Sequence, residues 1–199
     1  MTIDVNAYLG HFAFRRLRHN TAATLLALMD SKRIDKAVAS SASAITYRNA
    51  QAGNEEVAEE VKGHRDRLIP FAVINPSYAG WQDDLKTCHE DFGMTGLRLY
   101  PKWHNYSLSD RCCLDLVNAA TERGMIISIP LRAEDKRQRS WLVDVPDFIG
   151  NLGAERVIFG SGMPFSYPDP ALLKMDALDV SAPDGQKIRW QNAARWLRL

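Results

Sequence analysis

Long hydrophobic runs are absent from this chain. No stretch of its 199 residues is apolar enough to span a bilayer. No leader with a basic head, an apolar middle and small residues opens it. A membrane partner is therefore not expected, and a cytoplasmic location is. Net charge is nearly absent as well, since 25 Lys and Arg face 24 Asp and Glu and leave +1. That balance excludes the basic excess a nucleic-acid partner calls for. Cysteine is scarce and odd in number, being only Cys88, Cys112 and Cys113. These form neither a disulfide framework nor a zinc-ligand spacing, so reduced thiols in helices are expected. No Gly-x-Gly-x-x-Gly or Walker loop follows any strand pattern, which leaves a nucleotide fold without support. Ser161 and Ser166 lack the Gly-x-Ser-x-Gly turn of a nucleophile elbow. No internal repeat or low-complexity segment interrupts the chain.

What is present is ordinary globular material, 46% apolar and 25% charged, of a length that suits one domain over residues 1–199. Strand and helix patterns alternate along it. Ile3, Val5, Ala7 and Leu9 alternate with Asp4, Asn6 and Tyr8, the period of two of a strand with one apolar face. Further strands are expected at 36–40, 67–76, 96–101, 125–130 and 156–160. Helices are expected at 21–29 with Leu25, Leu26 and Met29 on one face, and at 54–61 with Asn54 as its cap. Others are expected at 81–91, at 109–123 with Leu114, Leu116, Val117 and Ala120 apolar, and from about 184 to 199. Strands separated by amphipathic helices imply parallel βαβ units.

Two stretches carry a family resemblance. Ile3-Asp4-Val5-Asn6-Ala7-Tyr8-Leu9-Gly10 resembles the opening strand of the amidohydrolase-related family, an Asp-x-His-x-His-x-Gly pattern whose histidines bind a divalent metal inside a TIM barrel. Phe159-Gly160-Ser161-Gly162-Met163-Pro164 resembles that family's last strand, Phe-Gly-Ser-Asp-x-Pro. The segments 67–76, 96–101, 155–170 and 191–195 resemble the family in the right order. The resemblance implies a TIM-barrel-like α/β fold and hydrolysis or decarboxylation of a small carboxylate. It implies a metal such as zinc as well, but the positions that would hold the ion are Asn6, Tyr8, Pro130 and Gly162, so no metal and no other cofactor is expected. The family has eight strands in about 250 residues. Only six are legible here, because almost nothing separates Val145-Pro146-Asp147 from Leu152. An incomplete or distorted barrel follows. Its bare apolar edges (Ile126, Ile127 and Ile129; Val157, Ile158 and Phe159) would make a homodimer contact one way of covering them.

Active sites of such barrels lie at the C-terminal ends of the strands, and the candidates are taken from there. Asn6 and Tyr8 either line a ligand pocket or fill the barrel mouth. Arg98 shares a face with Tyr100 and either clamps a carboxylate or pairs with Asp4. Lys102-Trp103-His104-Asn105-Tyr106 follows the fourth strand. His104 there is either a general acid–base group or an exposed loop histidine. Arg132 and Glu134, after the fifth strand, either supply an anion site and a carboxylate or are a solvated charged loop. The expected catalytic residues are His104 and Arg98. The expected small-molecule ligand residues are Asn6, Tyr8, Tyr100, Lys102, Arg132 and Glu134. His11 or Arg15 could line the mouth, with Phe12 and Phe14 packed as a lid. The alternative function is a non-catalytic small-molecule-binding or interaction protein on the same fold.

Overall fold

The computed structural model describes residues 1–130 and 153–199. Among them, β1 (Ile3–Leu9), β2 (Lys36–Ser41), β3 (Leu68–Val73), β4 (Gly96–Arg98) and β5 (Ile126–Ser128) form one sheet in chain order, every pair parallel. The helices α1 (Ala22–Ser31), α2 (Gln51–Val61), α3 (Trp81–Glu90) and α5 (Arg111–Glu122) connect the strands, preceded after β4 by the short turn α4 (Pro101–His104). A later helix, α6 (Asp169–Asp176), precedes the C-terminal helix, which runs over Ala182–Gln186, a π turn at Lys187–Gln191, and Asn192–Leu197. The strands curl into a half-barrel, and one contact shows why. Arg98 on β4 reaches the backbone of β1, three strand intervals away. In a flat sheet that gap is about 14 Å, beyond the reach of an arginine.

The outer face of the sheet packs under the helices. Ala7, Leu9, Ala37, Ala39, Ala72 and Leu97 meet Leu25, Met29, Val57, Val61, Leu85 and Leu116 in one buried cluster. Helix α1 begins where Thr21 caps it in a reciprocal box with Thr24, and it buries Leu25, Leu28 and Met29, spaced three and four apart. Leu26 is only partly buried. In α5 the buried stripe is Cys113, Leu116 and Ala120, and Leu114 points to solvent. Inside the curl, Val38, Ile69 and Phe71 form the floor, with Val5, Ile126 and Leu197 of the C-terminal helix against them. Phe71 presses so closely on Gly96 that a Cβ there would lie 2.3 Å from its ring, so β4 can cross only as glycine at this point.

Two local expectations change. Asn54 does not cap a helix. Helix α2 starts earlier, and the buried Asn54 side chain accepts from Val73 N and donates to Val73 O, both at 2.9 Å. The β2–β3 ladder ends at the Ala39–Pro70 pair, before Val73 is reached. The Asn54 amide thus takes the place of the missing strand partner. The expected sixth strand at 156–160 is a helical turn at Ala154–Arg156 followed by extended chain. That chain still runs parallel to β1. Val5 N donates to Phe159 O, Gly162 N to Asn6 O and Tyr8 N to Met163 O. Asn192 of the C-terminal helix holds it in place by donating to Ala154 O and Val157 O.

Replacing Asn54 with Ala leaves both polar groups of Val73 buried without a partner, at a cost of about 2–4 kcal/mol. Urea unfolding of Asn54→Ala measures this. A loss near zero would mean that the amide does not complete the strand.

Candidate functional site

The C-terminal ends of the strands carry three adjoining structures: a buried polar centre, an aromatic cap over it, and a cleft beside it.

The polar centre is built on Arg98 and Asp4. Arg98 is 1% exposed. Its Nη2 donates to Val5 O at 2.8 Å and its Nη1 to Ala7 O at 3.3 Å, and its guanidinium carbon lies 5.0 Å from the Tyr8 ring centre. The register of β1 against β2 shifts between Asp4 and Ala7, which is where these carbonyls are. Asp4 is fully buried. Its Oδ1 accepts from Asn6 N (2.9 Å) and Ser161 N (3.0 Å), and its Oδ2 accepts from the Ser161 hydroxyl. Burial raises the Asp4 carboxyl above its ordinary value, against the pull of these hydrogen bonds and of Arg98. Burial also pushes the Tyr100 phenol well up, so it stays neutral, and Tyr8 and Arg98 both act on it. Arg98 acts on Asp4 through space, while its two Nη groups bond to backbone.

Asn6 is half-buried and lies against the last extended segment. A Cβ on Gly160 would sit 3.0 Å from its Cβ, and one on Gly162 would sit 3.6 Å from its Nδ2. Gly162 has φ +77, a conformation that strains any residue with a side chain. An aspartate at that position would be strained here.

Above this centre, Phe165 meets the edges of Tyr8 and Phe12, each at 4.9 Å between ring centres. Phe12 and Phe14 both pack on Trp103. Arg15 ties the cap down by donating to Phe165 O at 2.6 Å. The lid expected from Phe12 and Phe14 is thus a cap of aromatic edges and faces.

His104 is neither an exposed loop residue nor open at a strand end. It closes the α4 turn, which begins with Pro101 in the first helical position. The ring is 5% exposed and Nε2 lies 2.9 Å from Ala44 O. A carbonyl can only accept, so Nε2 carries the proton. Nδ1 makes no hydrogen bond among the described residues. Burial lowers the His104 pKa and keeps the ring neutral. Lys102 lies on the exposed side of α4. Arg132 and Glu134 lie outside the described residues. The structure therefore brings Tyr8, Arg98 and Tyr100 together, with Tyr100 and His104 6.2 Å apart between ring centres.

The cleft holds about 280 Å³ and is lined by residues after three successive strands: Thr46, Tyr47 and Arg48; Asn75, Ser77 and Tyr78; Trp103, His104 and Asn105. Sequence reasoning missed Arg48, Asn75 and Tyr78. Asn75 ends the apolar run of β3, and Arg48 follows a helical turn that no periodicity announces.

A divalent ion does not fit the described donors. No three His, Cys, Asp or Glu side chains come together among the described residues. Asp4 already accepts three hydrogen bonds, and Arg98 places a fixed positive charge beside it.

No family model and no curated protein matches the chain. Solved structures do. A putative amidohydrolase from Staphylococcus aureus is similar with a TM-score of 0.75 at 12% identity, over 100% of this chain and 99% of that one. A probable 2-pyrone-4,6-dicarboxylic acid hydrolase from Acinetobacter baumannii, with citric acid bound, gives 0.70 at 11% over 100% and 99%. A 5-carboxyvanillate decarboxylase from Novosphingobium aromaticivorans, complexed with manganese and 4-hydroxy-3-methoxy-5-nitrobenzoic acid, gives 0.68 at 14% over 88% and 79%. The fold is that of the amidohydrolases.

The Asp4 carboxyl has a folded-state pKa above the ordinary 3.8. Its contribution to stability is therefore complete below that value and lost as pH rises through the folded pKa. Asp4→Asn, which resembles the protonated form, should remove this pH dependence. Asp4→Ala should cost about 2–4 kcal/mol more than Asp4→Asn, because it strips the acceptor from two buried N–H groups. Urea unfolding at pH 4 and pH 8 tests both, and equal losses for the two variants would contradict the buried, hydrogen-bonded carboxyl.

Proposed function

We propose that this chain is an amidohydrolase-like protein of the hydrolase and decarboxylase kind, which takes a small carboxylate at the C-terminal face of its half-barrel and has a degenerate metal centre. The observation that carries this reading is the Arg98–Asp4 centre. Asn6, Tyr8 and Gly162 stand where the resemblance implies ion ligands, and a guanidinium supplies the positive charge inside the barrel. The similar structures support the ligand class. Among them are decarboxylases and a hydrolase named for carboxylated substrates, one of them holding an aromatic acid.

A second reading, binding without turnover, is favoured by the aromatic cap. Phe165 packs on Tyr8 with Phe12 against it, and the Arg98 Nη groups and the Asp4 carboxyl are spent on internal bonds. Under either reading the protein works without a resident metal. It also suits a reducing cytoplasm, since Cys88, Cys112 and Cys113 are free and no helix among the described residues is long and apolar enough to cross a membrane. Cys88 is fully buried, and burial pushes its thiol up to about 12, so it stays protonated.

Calorimetric titration with 2,6-dihydroxybenzoate and 4-hydroxy-3-methoxy-5-nitrobenzoate, with EDTA or with manganese, tests the proposal. Binding is expected in EDTA with an affinity that manganese leaves unchanged. Binding only with manganese would overturn the degenerate centre. Release of carbon dioxide from 2,6-dihydroxybenzoate in EDTA would decide for catalysis over binding alone.

A further inference from the structure

The cleft beside the capped centre combines open volume with a polar lining. At about 280 Å³ it lies at the lower end of the roughly 300–1,000 Å³ of small-molecule pockets, which suits a ligand of one ring. No Asp or Glu lines it, and Arg48 is its cation. The Arg48 side chain makes no ion pair or hydrogen bond among the described residues. Its backbone is nevertheless held, because Asn75 Nδ2 donates to Arg48 O at 3.3 Å. Asn75 is itself buried and fixed by accepting from Ser77 N. Tyr47, Tyr78 and Trp103 supply flat apolar surface, each of them partly exposed. His104, also in the lining, carries a buried ring nitrogen with no partner among the described residues.

An unpaired guanidinium on a fixed loop is a group that takes a planar carboxylate through two parallel hydrogen bonds. Aromatic walls favour a ring attached to that carboxylate. We infer that this cleft is the ligand site, and that it holds a single-ring aromatic carboxylate with its carboxylate on Arg48 and its ring between Tyr78 and Trp103. The inference rests on the proposed small-carboxylate function and locates it away from the Arg98 centre. A second cleft, lined by Arg15, Arg16, Arg18 and His19, is also cationic. It is smaller, at about 180 Å³, and its Arg15 is spent on Phe165.

Benzoate is the probe, titrated by calorimetry into the intact chain, with methyl benzoate as the uncharged counterpart. Benzoate should bind at least tenfold more tightly than the ester. Arg48→Ala should weaken benzoate at least tenfold and Arg48→Lys by less, since Lys keeps the charge but not the paired geometry. Tyr78→Ala should weaken it severalfold. Arg48 and Tyr78 are exposed, so these variants should fold, which unfolding midpoints check. Arg16→Ala and Arg18→Ala should leave affinity unchanged. Equal weakening by Arg16→Ala or Arg18→Ala would assign the ligand to the second cleft and overturn this inference alone. Benzoate binding that Arg48→Ala leaves intact would do the same while leaving the small-carboxylate reading standing. If wild-type protein binds neither benzoate nor the two substituted benzoates, both readings fail.

Discussion

The structure depends on one buried cation. Arg98 leaves β4, crosses the interior and bonds to two carbonyls of β1. A desolvated guanidinium carries a penalty of several kcal/mol unless its charge and donors are met. Here two carbonyl dipoles, the face of Tyr8 and the nearby Asp4 offset the charge, while Nε is buried without a partner among the described residues. The same contacts draw β1 toward β4 and set the curl of the sheet. The irregular register of β1 falls between Asp4 and Ala7, where both accepting carbonyls sit, so the distortion of the strand and the placement of the cation belong to one arrangement.

That arrangement limits what the interior can do. An arginine held by backbone is neither a proton donor nor a mobile clamp, and its fixed charge repels a divalent ion. The carboxyl beside it is bonded to Ser161 and Asn6, and the phenol of Tyr100 is held neutral. Aromatic rings then close the mouth. The proposed ligand site lies further out, at the loops after β2, β3 and β4, where Arg48 is unpaired among the described residues and polar groups face open volume.

Much of the scaffold was legible from the residues. Alternation in 3–9 and the short apolar runs within 36–40 and 67–76 located β1 to β3, because a period of two or a short apolar run is a plain strand signal. Arg98 and Tyr100, two apart, do share the interior face. The site was less legible. His104 follows a strand and reads as an open loop residue, but Pro101 starts a helical turn that carries the ring inward. Asn54 precedes Glu55 and Glu56 and reads as a cap, whereas its partner is Val73, distant in sequence. Val157 to Phe159 has the composition of a strand, yet its backbone bonds go singly to β1 and to Ile188, so no regular ladder forms. Helix α6 buries no residue and so left no apolar stripe to read. In each case a tertiary partner outweighed the local pattern.

The central claim is that the guanidinium of Arg98, rather than an ion, holds β1 against β4 across the interior. Chemical unfolding of Arg98→Lys tests it most directly, because lysine keeps the charge but is shorter and lacks the planar fork that spreads two donors to two carbonyls. The account predicts a loss of about 2–4 kcal/mol that neither zinc nor manganese restores. Wild-type stability in Arg98→Lys, or recovery on adding either metal, would contradict it.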